Sequence, residues 1–283
     1  MKKTEKKNLQ FREKYGPYAL VAGGSNGLGA AFAEALARRG LNLVLLAREK
    51  ERLEASAKEI KEKYQVDAIT FAVDLADYEK TKSIITGLNV SIGLLVYNAA
   101  FAPIGLFENT SEEHLSLAAA VNVKTPLLLA KLVSGQMINN EAKGGIVLMS
   151  SLAGVQGSPK LAAYAATKAF NTVLAEGLWK ELQPRGIDVI GCCAGAILTP
   201  GYQQAVSSTE RTTASEGSPP EKSKTAPGTL AACDVAEQTL KALGKGPVVV
   251  PGSVNKIARF VFTRLLTKKA AIGIMLKNTG GLS

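Results

Sequence analysis

The chain carries one histidine, His114, near the start of a helical stretch, so neither a histidine metal cluster nor a Ser-His-Asp triad is expected; it reads as a polar helix residue. Cysteine is scarce too. Cys192 and Cys193 are adjacent in an apolar run and Cys233 stands alone, which gives no disulfide framework and no CxxC pair. The adjacent pair reads as core residues, and a reducing compartment fits, with the cytoplasm as the expected location. No uncharged apolar run reaches 18 residues, so no spanning helix is expected. The start, MKKTEKKNLQF, is basic but leads into no apolar stretch, unlike a secretory signal. Net charge is missing from the body. The net +10 divides into +4 over residues 1–14, +6 over residues 254–283 and zero between them. A nucleic-acid groove needs cations clustered on the folded body, so no nucleic-acid partner is expected. The two ends leave contact with an anionic surface open.

What is present is an alternation. Apolar runs at 18–22, 41–47, 68–73, 92–97, 145–150, 187–192 and 248–250 are separated by helix-period segments near 27–39, 49–63, 77–86, 111–139, 161–183 and 233–243. The runs are continuously apolar, as strands buried on both faces are. About seven such strands with crossover helices predict one α/β domain, a Rossmann-like doubly wound parallel sheet with helices on both faces. The expected organisation is a basic tail at 1–14, a dinucleotide-binding catalytic domain at 15–252 and a basic extension at 253–283. Residues 201–229 are rich in Ser, Thr, Pro and Gly and read as a lid over the substrate.

Gly23-Gly-Ser25-Asn26-Gly27-Leu28-Gly29 follows the first strand directly. Small residues let the backbone approach a pyrophosphate while the next helix offers its N-terminus to the negative charge. Tyr-x-x-x-Lys occurs twice. Tyr78–Lys82 has only Gln65 thirteen residues before it and reads as a solvated helix face. Tyr164–Lys168 has Ser151 at that spacing, at the end of a strand. Carbonyl reduction needs a hydride at carbon and a proton at oxygen. A phenol can give the proton, and a lysine one turn on shares its face and favours the phenolate. A serine hydroxyl can steady the charge developing on oxygen. The second strand ends in Ala47-Arg48 with no acid to repel a 2′-phosphate, which favours NADP(H) over NAD(H).

Taken together, GGSNGLG at 23–29, the acid of VDL at 73–75, YNAA at 97–100, VNV at 121–123, SSLAG at 150–154, YAATK at 164–168 and AGAILTP at 194–200 resemble the short-chain dehydrogenase/reductase family, and within it the ketoacyl and ketosteroid reductase branch. The resemblance implies an NADP(H)-dependent oxidoreductase interconverting a ketone and a secondary alcohol, with a hydrophobic small-molecule substrate. It makes Ser151, Tyr164, Lys168 and Asn122 catalytic, Asn122 holding a water that links the lysine to solvent. It assigns the cofactor to Gly23, Ser25, Asn26, Gly27, Leu28, Gly29, Arg48, Asp74, Leu75, Asn98, Ala99, Ala100, Ile197 and Thr199, together with Tyr164 and Lys168. Asp74 and Leu75 would bracket the adenine, and Ile197 and Thr199 would hold the carboxamide. It implies a homodimer or homotetramer paired through the segments at 111–139 and 161–183. Ala22, Ala100 and Ala194 stand where the family usually has Thr, Gly and Pro, which bears on cofactor affinity and rate rather than reaction type. A low-turnover dinucleotide sensor or scaffold is the alternative on the same fold.

Past residue 252, Ile257, Phe260, Val261 and Leu265 fall at helical spacing, with Lys256, Arg259 and Lys268 elsewhere on the wheel. The pattern fits a basic amphipathic helix on anionic lipid, or a helix packed on a partner subunit or the substrate loop.

Overall fold

The structure, a computed structural model, describes residues 3–199 and 226–279. Its centre is a seven-stranded parallel sheet in the order β3-β2-β1-β4-β5-β6-β9. The strands are β1 (Tyr18–Ala22), β2 (Asn42–Ala47), β3 (Ala68–Ala72), β4 (Ile92–Tyr97), β5 (Gly144–Ser151), β6 (Ile187–Ala194) and β9 (Val248–Val249). Two short strands, β7 (Ile197–Leu198) and β8 (Leu230–Ala231), pair with each other outside it. The helices are α1 (Lys3–Tyr15), α2 (Gly27–Ala37), α3 (Lys50–Tyr64), α4 (Tyr78–Thr86), α5 (Glu112–Ala119), α6 (Thr125–Asn139), α7 (Ala162–Leu182), α8 (Ala232–Ala242), α9 (Ser253–Phe260) and α10 (Lys268–Thr279).

Side chains alternate across each strand, so a continuous apolar run feeds two cores at once. Ala19, Val21, Leu43 and Leu45 face a core closed by Phe32 and Leu36 of α2, Leu53 of α3 and Leu240 of α8. Leu20, Ala22, Val44 and Leu46 face a second core closed by Tyr78 of α4, Leu129 and Val133 of α6 and Ala175 of α7. Arg39 ties α2 to α8 through a two-pronged ion pair with Glu237, at 2.9 and 2.7 Å.

Three expectations need correction. Residues 3–15 are not a tail. They form a helix whose Phe11 and Tyr15 rings meet at a tilt with centres 4.6 Å apart, and the buried Tyr15 hydroxyl donates to Asp188 at 2.5 Å. The stretch 111–139 is not one regular helix, because a widened π turn at Ala120–Lys124 joins α5 to α6. Pro126, four residues after Asn122, has no N–H to offer its carbonyl, and the ladder opens there. That run is long and apolar enough to cross a bilayer by composition, but Leu129, Ala130, Val133 and Met137 pack into the sheet. The C-terminal extension breaks likewise into α9, a π turn at Val261–Leu265 and α10.

The lid expected at 201–229 falls largely outside the described residues.

Candidate functional site

Strand order reverses between β1 and β4, and parallel strands leave a crevice beyond their C-terminal ends at such a point. A cavity of about 710 Å³ lies there. Ala22, at the end of β1, is in register with Leu46 of β2 and Tyr97 of β4, so the turns after these strands meet at one rim.

The glycine turn is held by backbone. Gly23 and Gly24 N–H groups donate to Leu46 O at 2.7 and 3.2 Å, and Asn98 Nδ2 donates to Gly23 O at 3.2 Å. Gly23 has φ +83°, and a Cβ on it would meet Ala99 backbone at 2.9 Å. Only glycine suits that conformation and clearance. Gly29 is more constrained still: its Cβ would lie 1.7 Å from Gly23 O, so α2 can start this close to the turn only without one. The Asn26 side chain caps α2 by accepting from Gly27 N at 2.7 Å.

Of the sixteen residues expected at the cofactor, the cavity is lined by all but Gly29, whose part is packing. Arg48 stands exposed at its edge. Its neighbour Glu49 pairs with Arg52 at 3.3 Å, and among the described residues no carboxylate lies within ion-pair distance of Arg48. A free guanidinium beside a helix N-terminus and a glycine turn suits a phosphorylated dinucleotide. Asp74 is exposed and accepts from Ala76 N at 2.9 Å, while Leu75 is buried beside it.

The end of β5 and the start of α7 place the remaining groups. The Ser151 side chain neighbours the Tyr164 phenol and favours its ionised form, and Lys168 Nζ sits 5.5 Å from the centre of the Tyr164 ring. Lys168 is 3% exposed and donates to Met149 O at 3.0 Å. Ser150 Oγ donates to Lys168 O at 2.7 Å. Consecutive residues of β5, Met149 and Ser150, therefore hold the side chain and the backbone of Lys168, and Ser151 follows them beside the phenol. Burial pushes the lysine down to about 8. It pushes the phenol above its ordinary 10, with the Ser151 hydrogen bond opposing.

Asn122 does not reach the cavity. It is fully buried, with Oδ1 accepting from Phe101 N at 2.8 Å and Nδ2 donating to Phe101 O at 2.7 Å and Thr167 Oγ1 at 3.1 Å. Its side chain is a pin joining the π turn, the loop after β4 and α7. The sequence reading missed Asn171, whose Nδ2 donates to Asn122 O at 2.9 Å and Thr167 O at 3.1 Å. Its buried Oδ1 has no donor from the described protein. An asparagine in mid-helix, on the same face as Lys168 three residues earlier, was the available signal.

Tyr78 is corrected by the same geometry. It is 8% exposed and packs in the second core, its hydroxyl 3.5 Å from Leu128 O, so this tyrosine is an anchor rather than a solvated face. Trp179 packs against that core as well, and the His114 ring lies 5.4 Å from Phe101.

Residues 17–210 match the model of the short chain dehydrogenase family. The chain belongs to that family. Relatives include the very-long-chain 3-oxoacyl-CoA reductase of Bos taurus, 34% identical over 185 residues, which cover 62% of this chain and 57% of the bovine protein. The 7beta-hydroxysteroid dehydrogenase of Clostridium sardiniense is 28% identical over 249 residues, covering 88% and 90%. The chain thus spans little more than half the length of the bovine reductase it matches. Among solved structures, a 7beta-hydroxysteroid dehydrogenase superposes with a TM-score of 0.81 at 26% identity, covering 94% of this chain and 98% of that one. A short-chain dehydrogenase from Sphingobium yanoikuyae in complex with NADPH gives 0.73 at 26% identity, covering 94% and 96%.

Proposed function

We propose that this short-chain dehydrogenase reduces an apolar ketone to a secondary alcohol with NADPH. The observation that carries the proposal is the convergence of Ser151, Tyr164 and Lys168 on the cavity that the glycine turn and Arg48 also line. NADP(H), rather than NAD(H), is favoured by the Arg48 guanidinium at the cavity edge, which has no carboxylate within ion-pair distance among the described residues. NADPH complexes among the structural relatives support the same choice. Phe101, Leu117, Val121, Leu152 and Leu161 give the rest of the cavity an apolar wall, suited to a hydrophobic substrate. The relatives' ketoacyl and steroid activities agree with it.

The dinucleotide, when bound, supplies the hydride to the carbonyl carbon. Ser151 donates a hydrogen bond to the carbonyl oxygen and Tyr164 gives that oxygen its proton. Lys168, positively charged below pH of about 8, stabilises the phenolate that remains. Asn122 acts here as a positioning residue, with its side-chain groups committed to Phe101 and Thr167. The sensor or scaffold reading has no such observation behind it. Exposed Leu127 and Val173 on the outer faces of α6 and α7 suit pairing of two subunits across a two-fold, and a cytoplasmic location accords with the free cysteines.

The test follows NADPH oxidation by the purified protein against steroid ketones, 3-oxoacyl thioesters and small polar ketones, repeated with NADH. Turnover of the large apolar ketones, lost in Tyr164→Phe, is the expected result. Failure of every ketone, or turnover that survives Tyr164→Phe, overturns the proposal.

A further inference from the structure

The helix α9 is attached to the protein by its polar side. Asn255 is 3% exposed, with Nδ2 donating to Gly228 O at 2.9 Å and Pro251 O at 3.0 Å. A Cβ on Gly195 or Gly228 would strike its side chain at 2.6 or 2.5 Å, so the amide is clamped between two glycines. The apolar side faces away. Val254, Ile257 and Phe260, at i, i+3 and i+6, are 53%, 64% and 57% exposed. Leu265 in the following turn and Ile272, Ile274 and Leu276 in α10 are exposed as well. An amphipathic helix of a globular protein ordinarily buries its apolar stripe and shows its amides to water. Here the order is inverted, and an exposed apolar stripe on a helix anchored by its polar side marks a docking surface.

Charge identifies the occupant. No Asp or Glu follows Glu237, whereas Lys256, Arg259, Arg264, Lys268, Lys269 and Lys277 all lie beyond residue 252. A second copy bound about a two-fold axis would set the same cationic, acid-free patch against itself. The polar segment 200–225 has only Tyr202 and Val206 as large apolar side chains, too few to cover the stripe. A surface that takes apolar side chains and returns negative charge is anionic lipid, acyl chains below and phosphates above. We propose that α9 and α10 dock the protein on an anionic membrane surface, with Val254, Ile257 and Phe260 inserted and the flanking cations on the headgroups.

The same helices stand near the cavity. A Cβ on Gly157, six residues beyond Ser151, would lie 3.6 Å from Ile272 Cδ1. Passage of an apolar ketone from the bilayer into the site would rest on the proposed reductase activity; the docking itself does not.

The experiment is co-sedimentation of the full chain with vesicles of phosphatidylcholine, alone or with about one-third phosphatidylserine, at low and high salt. It uses no substrate, so its failure and the failure of the reductase reading are distinguishable. Binding to the anionic vesicles alone, released by high salt, is expected. Ile257→Asp with Phe260→Asp should weaken binding at least ~10-fold, and Lys268→Glu with Lys269→Glu by a similar factor. Each variant should keep the wild-type circular dichroism and thermal transition; if one pair unfolds, the other pair decides. The proposal is overturned if the wild type stays in the supernatant, binds neutral and anionic vesicles alike, or binds as well after both paired substitutions. It is also overturned if sedimentation velocity shows a wild-type dimer that Ile257→Asp with Phe260→Asp dissociates, since the face would then belong to a second copy.

Discussion

The molecule holds two Tyr-x-x-x-Lys turns of identical spacing on amphipathic helices, and they do opposite things. In α4 the tyrosine goes into the core and the lysine, Lys82, goes into water. In α7 the lysine is buried and the tyrosine lines the cavity. A spacing of four brings two side chains to one helix face but says nothing about which way the face looks. What separates the turns is the neighbouring strand. The end of β5 gives Lys168 a carbonyl and sets the Ser151 hydroxyl beside Tyr164, whereas the Tyr78 hydroxyl reaches the Leu128 carbonyl of α6.

The contrast breaks most sharply at the phenols. Tyr164→Phe should lower kcat for ketone reduction about 10³-fold, the usual scale for loss of a positioned acid. Tyr78→Phe should leave it within about twofold. Comparable losses in a steady-state NADPH assay would erase the distinction. The lysines come next. Lys168→Met should cost at least about 10²-fold in kcat while stabilising the fold. A lysine held near 8 against 10.5 when unfolded costs about 3 kcal/mol below pH 8, of which about 1 returns as the loss of the Met149 carbonyl's donor. Because the folded pKa is the lower one, the cost is complete below about pH 8 and fades as pH rises toward 10.5. Urea titrations should therefore show a gain of about 2 kcal/mol for Lys168→Met at pH 7 that is gone by about pH 10. Lys82→Met should change neither quantity. The same titration predicts that kcat/KM for reduction falls as pH rises through about 8, when the charge beside the phenol is lost. A flat profile from pH 7 to about 9 would contradict the role given to Lys168.

Smaller effects sharpen the picture. Asn171→Leu should destabilise the fold by about 1–3 kcal/mol, because it leaves the Asn122 carbonyl without its side-chain donor. Tyr78→Phe should cost about 0.5 kcal/mol or less by the same measurement, since its hydroxyl bond is long.

Much of this was legible in the chain. Continuous apolar runs located the sheet, and the bounds of β1 and β4 agree with the runs at 18–22 and 92–97 because turn residues flank both. The glycine turn and the β5–α7 groups were legible because their residue types are dictated by close approach and proton chemistry. The helix α1 was not, since its five cations outweighed the Phe11/Tyr15 pair, and the receiving Asp188 lies 173 residues from Tyr15. Nor was the role of Asn122, whose partners come from segments distant in sequence, although Pro126 announced the break in its helix. The sequence put Ile257 and Phe260 on one face with Val261 and Leu265, whereas α9 ends at Phe260 and shows Val254 beside them; the inward bond of Asn255 depends on carbonyls that sequence does not position.

The grip of β5 on α7 has a consequence for how the site fails. Met149, Ser150 and Ser151 pair in unbroken register with Cys192, Cys193 and Ala194 of β6. A slip of one residue in that ladder would turn each of the three to the opposite face of the sheet. The ammonium, the helix backbone and the phenol would then come loose together. Heat or denaturant should thus extinguish the reaction in a single step with the β5–β6 pairing, leaving no half-competent form along the way.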